Sequence, residues 1–534
     1  MFKNLNTYCV IGPPGCGKTY SIAKSIENNI QTYGETGIIV CSLTKTAAKE
    51  ASGRVGLPRE QVGTLHSFAY RAIGGGNVAE SHIDDWNSSV PSLKVSDGAV
   101  NDDLDDQVFD TRRCERDGDD LMSRYNLLRA RCVPEEAWPS DVRMFGKKWR
   151  EWKDNCNFID FADMIEIATQ DTITAPGNPY LIYMDEAQDS SVAESRLLAH
   201  WGRMARKVVV VGDPMQSLYE WRGATPDEFF PATLAVERKH ILAQSYRVPE
   251  SVRDVAVRWA SRMPGFQPAP YHARLDESGA TVPGSVEHSD ATLKNAEEII
   301  ELAEKHLNGT VMILTSCGYM LNGIVAALRA AGLPFHNPYR RKQGAWNPLH
   351  VGKGISGRDR ILSFLEPKFG TRLWTIQDVQ SWASVLKADD VFNHGSKTEV
   401  KEASPEMEWP ELSEKLYQWF KPEIMEYLEN QDLKWWYENT LPSKRKTLQF
   451  PKEILERRGF KTLKEQPKII IGTTHSVKGG EADTVIVAPD LSRAGYEEWD
   501  ANRAGVYRLF YVAMTRAREK LILLSPSSMM AVEW

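Results

Sequence analysis

The sequence has no Cys-x-x-Cys pair. Its seven cysteines (Cys9, Cys16, Cys41, Cys114, Cys132, Cys156 and Cys317) are scattered and odd in number, which argues against a patterned zinc site or a disulfide framework and fits a reducing cytoplasm. No run approaches the ~18 consecutive apolar residues of a membrane span, so no membrane contact is expected. The opening residues MFKNLNTYCVIG lack the anatomy of an export signal. There is no excess of positive charge either: 65 Lys and Arg against 72 Asp and Glu leave −7 at neutral pH. Any nucleic acid must therefore be met by a local groove and not by the overall field. No internal repeat is visible. What remains is the composition of a soluble globular chain, 42% hydrophobic and 26% charged, and 534 residues suit about three or four domains.

Apolar strands alternate with helices over residues 1–75: TYCVIG, then GIIVCSL, then a helix over KTAAKEASG. A parallel α/β sheet is the economical reading. The texture changes at Gly74, where GGG opens a polar stretch containing NDDLDDQVFDTRRCERDGDD, an acid-rich run read as solvated surface, followed by a helical, tryptophan-bearing piece. The α/β pattern resumes in YLIYMDEAQD, KVVVVGD and HILAQSYR. A second block starts at TVMILTS, is interrupted by a tryptophan-rich helical region, and ends with KIIIGTTH, DTVIVAPD and KLILLS. The expected division is a first core at 1–75 and 156–247 with an insertion at 76–155, and a second core at 248–340 and 466–534 with an insertion at 341–465.

Gly12-Pro-Pro-Gly15-Cys-Gly17-Lys18-Thr19 matches G-x4-G-K-[ST] between a strand and a helix. Small residues let successive backbone N–H groups point into such a loop, where they cradle phosphate at the helix N-terminus. Lys18 would reach the terminal phosphates of ATP and Thr19 would ligate Mg²⁺. Asp185 and Glu186 end the strand YLIYM, at the ligand edge of an open α/β sheet. Asp185 is a candidate for the metal and Glu186 for the general base. Arg247 and Arg516 are candidates for the transition-state charge, since a planar guanidinium binds two phosphate oxygens. Taken singly, either is more often a surface ion-pair partner.

The segments GPPGCGKT, SLTKTAAKE, GTLHSFAYR, YMDEAQD, VVGDPMQSLYEWRGA, SYR, TTHSVKGGEAD and RLFYVAMTRARE occur in this order. The set resembles the UvrD/Rep/PcrA-like superfamily 1 DNA helicases. That resemblance implies two RecA-like P-loop parallel-sheet cores, each with a mainly helical insertion, and an ATP-dependent translocase and helicase, 3′→5′ in polarity. Its substrates would be single-stranded DNA and duplex with a single-stranded tail. Gln216 would sense the γ-phosphate, Arg247 and Arg516 would be arginine fingers, Tyr246 would stack on adenine and Glu481 would bind the ribose. His66, Trp221, Arg222, Thr474 and His475 would line the strand path, where an indole under an unpaired base contributes about 1–3 kcal/mol. Composition alone would make Trp221 a core residue.

The sequence departs from the family pattern in three places. Eleven residues precede Gly12 and none is Gln, so a glutamine segment reading adenine is not expected and other triphosphates are candidates. The family's TFH element is Thr64-Leu65-His66 here, which leaves Phe68, on Leu65's helical face, as the substitute aromatic on the strand path. The acidic pair before RLFYVA is Gly505-Val506. The last motif ends at Glu519, close to Trp534, so a nuclease activity is expected only from a partner. A DNA-binding ATPase subunit of a larger defence or recombination assembly is the alternative function, and RNA is the alternative track.

Overall fold

The computed structural model describes residues 6–42, 56–96, 117–226, 238–267, 269–341, 343–352, 354–366, 374–501 and 503–534. The helix expected over KTAAKEASG, the family-like segment from residue 43 to 50 and most of the acidic run at 101–120 lie outside them.

Among the described residues the strands run in chain order as β1 Thr7–Ile11, β2 Ile38–Ser42, β3 Val62–Thr64, β4 Asn77–Val78, β5 Phe158–Ile159, β6 Leu181–Met184, β7 Lys207–Gly212, β8 Lys239–Ile241, β9 Ser285–Ser289, β10 Val311–Thr315, β11 Phe335–His336, β12 Ile469–Thr473, β13 Ala482–Val487 and β14 Ala517–Leu524. The first sheet has the order β3-β2-β6-β7-β1-β8, with every pairing parallel. Parallel sheets are covered on both faces, so their strands read as unbroken β-branched or apolar runs. IIVCS in β2 and LIYM in β6 are buried at every position, and VVVV in β7 likewise. A second six-stranded sheet comprises β9 to β14, so the expected α/β class with two parallel-sheet cores is what the chain forms.

Compactness groups the chain in two units. The first is Met1–Thr292, Leu314–Met320 and Thr473–Trp534; the second is Leu293–Ile313 and Leu321–Gly472. The first unit holds the whole first sheet together with β13, β14 and β9, side by side in that order with parallel pairing. The second holds β11, paired in parallel with β12, and a helical region built on Gly357–Leu365, Ile376–Ala383, Trp409–Trp419 and Pro442–Lys464. Phe364, Trp382, Trp419, Phe420 and Trp436 are buried there. Among the described residues no helix is long and apolar enough to cross a membrane.

Register decides what the first sheet presents. β1 ends at Ile11 opposite Gly212 of β7, and β6 reaches Met184 opposite Val210. The next residues, Gly12, Asp213 and Asp185, therefore emerge along one carboxyl edge, where open α/β sheets bind ligands. In the other sheet of this unit Ala482 pairs with Ala517, so Glu481 and Arg516 precede their strands and sit at an amino edge.

The stretch expected as an insertion carries helices Ile83–Ser89, Gly118–Ala130 and Ser140–Cys156. Its own core is aromatic: Trp86 meets Phe145, Trp149 and Trp152 edge-on, with ring centroids 5.9, 5.0 and 5.6 Å away. A buried charge cluster fastens it to helix Phe161–Asp171. Arg129 binds Asp160 at 2.9 Å, Asp163 at 2.8 Å and Glu166 at 2.6 Å. Lys153 binds Asp160 at 2.6 Å and also Asp163, and the Trp149 indole donates to Asp160 at 2.9 Å. Asp160 and Asp163 also form the capping box of that helix, so one pair of acids terminates a helix and neutralises two buried cations.

Burial alone would raise the Asp160 pKa, but Arg129 and Lys153 outweigh it and hold the carboxyl well below its usual range. A depressed carboxylate contributes stability that is complete above the unfolded value of about 3.9 and is lost as pH falls towards the folded value. Asp160→Asn removes the carboxylate shared by Arg129 and Lys153, which keep Asp163 and Glu166, so the cost is expected to fall short of the about 3–5 kcal/mol for breaking an isolated buried pair. The expected result is a lower unfolding midpoint at neutral pH, together with a weaker dependence of that midpoint on pH below about 4 than in the parent chain, both read by thermal melts across pH.

Candidate functional site

The loop between β1 and helix Lys18–Tyr33 is shaped by glycine. Gly15 and Gly17 have φ of +76° and +73°, in the left-handed region that favours glycine. A side chain at Gly15 would also meet Arg247 Cβ at 2.6 Å and Ser245 Oγ at 2.7 Å. The loop is thus closed from behind by the segment Ser245–Arg247, which follows β8. The Tyr246 amide donates to the Gly15 carbonyl at 2.8 Å. Its ring stays 72% exposed beside Gly17. Lys18 Nζ donates to the Gly12 carbonyl at 3.0 Å, which folds the ammonium back over the loop.

Four acids gather at the carboxyl edge. Thr19 Oγ1 donates to Asp185 Oδ2 at 2.9 Å. Burial, with Glu186 adding to it, pushes the Asp185 carboxyl up to about 6 against the pull of Thr19 and Lys18. Such a carboxylate is costly to ionise alone and is relieved by a cation. The hydroxyl and carboxylate oxygens are hard donors of the kind Mg²⁺ takes. Among the described residues no group of three or more acidic, histidine or cysteine side chains could hold a metal, so the remaining ligands would have to come from phosphate or water. Thr19 and Asp185 fit that role.

Glu186 follows with φ of +53°, a strained value for a residue with a side chain. Burial opposes its charge, but Lys478, Lys18 and a hydrogen bond from Gln188 bring it down to about 2, so it is ionised at neutral pH. Asp189 is pushed up to about 6 by burial, although Lys478 binds it directly. Asp213 is raised by burial as well and accepts from Gln216 Nε2 at 2.7 Å.

The cations that answer these acids come from far along the chain but lie within the same compact unit. Arg516 is buried, donating to Val512 O at 2.9 Å, Gly480 O at 3.3 Å and Gln216 Oε1 at 3.2 Å. Lys478 donates to the Gln216 carbonyl at 3.1 Å and lies 3.8 Å from Glu186. Arg247 binds Glu481 at 2.6 Å, and Arg518 binds the other oxygen at 2.7 Å. Loop, acids, Gln216 and Arg516 form one connected cluster, in which Arg247 is paired with Glu481.

The residues expected on a strand path are more dispersed. His66 lies 3.5 Å from Glu194 and edge-on to Phe161. Phe68 is a correction: it is fully buried in the core beneath the first sheet. Leu65 and Phe68 do share a face, but that face points inward. Thr474 and His475 are buried, with the imidazole edge-on to Tyr219 at 6.1 Å. Trp221 is half-buried and packs against a cluster that includes Leu218, Cys317 and Leu509. Arg222 is half-buried beside it.

Four contributors escaped the sequence reading. Lys478 stands inside TTHSVKGGEAD and Asp189 closes DEAQD, so both carried the signal of a charge within a quoted motif. Arg508 pairs with Glu220 of the YEWR element. Tyr271 carried no sequence signal. Its hydroxyl donates to the Pro14 carbonyl at 3.1 Å, alongside Ser245 Oγ at 2.9 Å. Two hydroxyls therefore hold one loop carbonyl away from the side where amides must converge on phosphate. A neutral hydrogen bond contributes about 0.5–1.5 kcal/mol. Tyr271→Phe is thus expected to weaken triphosphate binding by about two- to tenfold, read by titration with a fluorescent nucleotide analogue; unchanged affinity would mean that Ser245 suffices.

Comparison with known proteins identifies this arrangement. Residues 2–234 match the UvrD/REP helicase N-terminal domain, and residues 468–524 match the UvrD-like helicase C-terminal domain. Among curated relatives, the ATP-dependent DNA helicase Rep of Escherichia coli is 26% identical over 276 residues, covering 45% of this chain and 38% of Rep. The ATP-dependent DNA helicase UvrD2 of Mycobacterium bovis is 22% identical over 398 residues, 66% of this chain and 56% of that protein. The Gabija protein GajB of Bacillus cereus is 24% identical over 234 residues, 43% of this chain and 41% of GajB. The chain thus spans about two fifths to just over half of these relatives. With the two domain models together matching more than half of its residues, and with the loop, acids and arginine assembled as described, the chain belongs to the UvrD/Rep helicase family.

Proposed function

We propose that this chain hydrolyses ATP to move along single-stranded DNA, acting as a 3′→5′ translocase and helicase on duplexes with a single-stranded tail. The observation that carries the reading is the connected cluster of Lys18, Asp185, Glu186, Gln216 and Arg516 at the edge of the phosphate loop. Phosphoryl transfer needs positioning and charge stabilisation more than covalent help from the protein. The loop amides and Lys18 bind the phosphates. Glu186, held ionised by neighbouring cations, orients the attacking water and takes its proton. Arg516, already hydrogen-bonded to Gln216, meets the charge that develops on the terminal phosphate. Arg247 joins it by exchanging its pairing with Glu481, a carboxylate that in turn becomes available to the ribose. Tyr246, exposed beside Gly17, is the stacking surface for the base. Mg²⁺ held by Thr19 and Asp185 would neutralise phosphate charge.

In this reading the two cores are residues 1–75 with 156–247 and 248–340 with 466–534. The element from Asp213 to Arg222 couples them to the strand, because Gln216 and Trp221 lie five residues apart on it. Trp221 and Arg222 lead the strand contacts, with His66, Thr474 and His475 lining the rest of the path. The described cysteines form no disulfide, which supports a cytoplasmic setting.

Glu186→Gln is expected to lower ATP turnover by about 10²- to 10⁴-fold while nucleotide and DNA binding persist; near-normal turnover in a steady-state ATPase assay would place the base elsewhere. Strand displacement is expected from 3′-tailed duplexes and not from 5′-tailed ones. Unwinding confined to 5′ tails would reverse the polarity, and an ATPase indifferent to single-stranded DNA would remove the motor.

A further inference from the structure

The helical region of the second unit carries a half-open cavity of about 850 Å³, within the range of small-ligand sites. It is unrelated to the phosphate loop, and nothing in the ATPase reading uses it. Its lining is divided by chemistry. Ala383, Ala388, Phe392 and Val400 supply an apolar wall. Lys397, Lys401 and Lys421 supply the cationic part, against one lining acid, Asp389.

The lysines are the informative part. None of the three has an ion-pair partner among the described residues. Two are fixed by backbone instead. Lys421 Nζ donates to the Asp389 carbonyl at 2.6 Å, and Lys397 Nζ donates to the Leu386 carbonyl. The Lys397 ammonium also lies 5.8 Å from the Phe392 ring centroid, and burial lowers its pKa. A half-buried cation held in place without a counter-charge is unfavourable by itself and is relieved by an anion. Gly395, with φ of +79° and open space where a side chain would go, keeps the rim clear. Two fixed ammonium groups, with exposed Lys401 beside them, suit phosphate oxygens, for which lysine is a well-adapted partner, and the apolar wall suits a flat organic body.

We propose that this cavity binds a small phosphorylated ligand of nucleotide size. A volume of about 850 Å³ matches a single small ligand of that size.

The test uses the full chain carrying Lys18→Ala, which disables the phosphate loop, with ADP and inorganic pyrophosphate as probes in isothermal titration. Saturable binding of at least one probe should persist in that background. Adding Lys401→Gln with Lys421→Gln should weaken it about tenfold or more, as expected for the loss of charge-assisted contacts. Ala388→Trp, at an exposed position on the cavity wall, should block it sterically without altering charge, which keeps the test independent of any lysine variant that folds poorly. Absence of saturable binding in the Lys18→Ala chain would overturn the proposal. So would residual binding that ignores both the lysine pair and Ala388→Trp, or binding restricted to a single-stranded oligonucleotide.

Discussion

Acids buried at the carboxyl edge of a parallel sheet must be answered by cations, and the rest of the first unit is arranged around that requirement. Asp185, Asp189 and Asp213 are buried, and Glu186 is half-buried among them. The sheet that carries them supplies one nearby ammonium, Lys18. The balance comes from Lys478 and Arg516, nearly 300 residues further on. Their approach explains why Glu186 stays ionised although Asp185 and Asp189 are pushed up to about 6. One pair of neighbouring carboxylates is thereby split into an ionised group and one that burial raises, the pattern expected when environment divides like groups.

The same accounting recurs away from the site. Asp160 anchors the helices between Ile83 and Cys156 by neutralising Arg129 and Lys153, while an aromatic cluster around Trp86 gives them their own core. Those helices and the helical region of the second unit both bury indoles, yet the former carry a fully partnered charge cluster. The latter presents lysines with no such partners around an open cavity. Paired buried charge reads as structure, and unpaired charge beside a cavity reads as a place for something else.

Much of this was legible in the chain. The strand-loop-helix spacing around Lys18 and the β-branched run before Asp213 announced parallel strands with a phosphate loop at their tips, because continuous apolar runs are what two-faced burial demands. The order of the motifs announced the family. Other features were not legible for specific reasons. Phe68 fell on the expected helical face, but periodicity does not say whether a face looks outward or into the core. Tyr271 carries no pattern, since its role is one hydroxyl aimed at one carbonyl 257 residues away. The pairing of Arg247 with Glu481 depends on two loops meeting, which spacing cannot encode.

The sequence by itself determined the phosphate loop, the acids at the strand tips, the α/β class and the family, because each rests on local spacing and on the steric and burial rules of short segments. Tertiary structure alone decided which cation serves which acid, which aromatic is core, how the Pro14 carbonyl is held, and where lysines stand unpaired around a cavity. Those outcomes depend on approach and desolvation between distant segments, and burial changes the energy of a charge far more than its neighbours in sequence do.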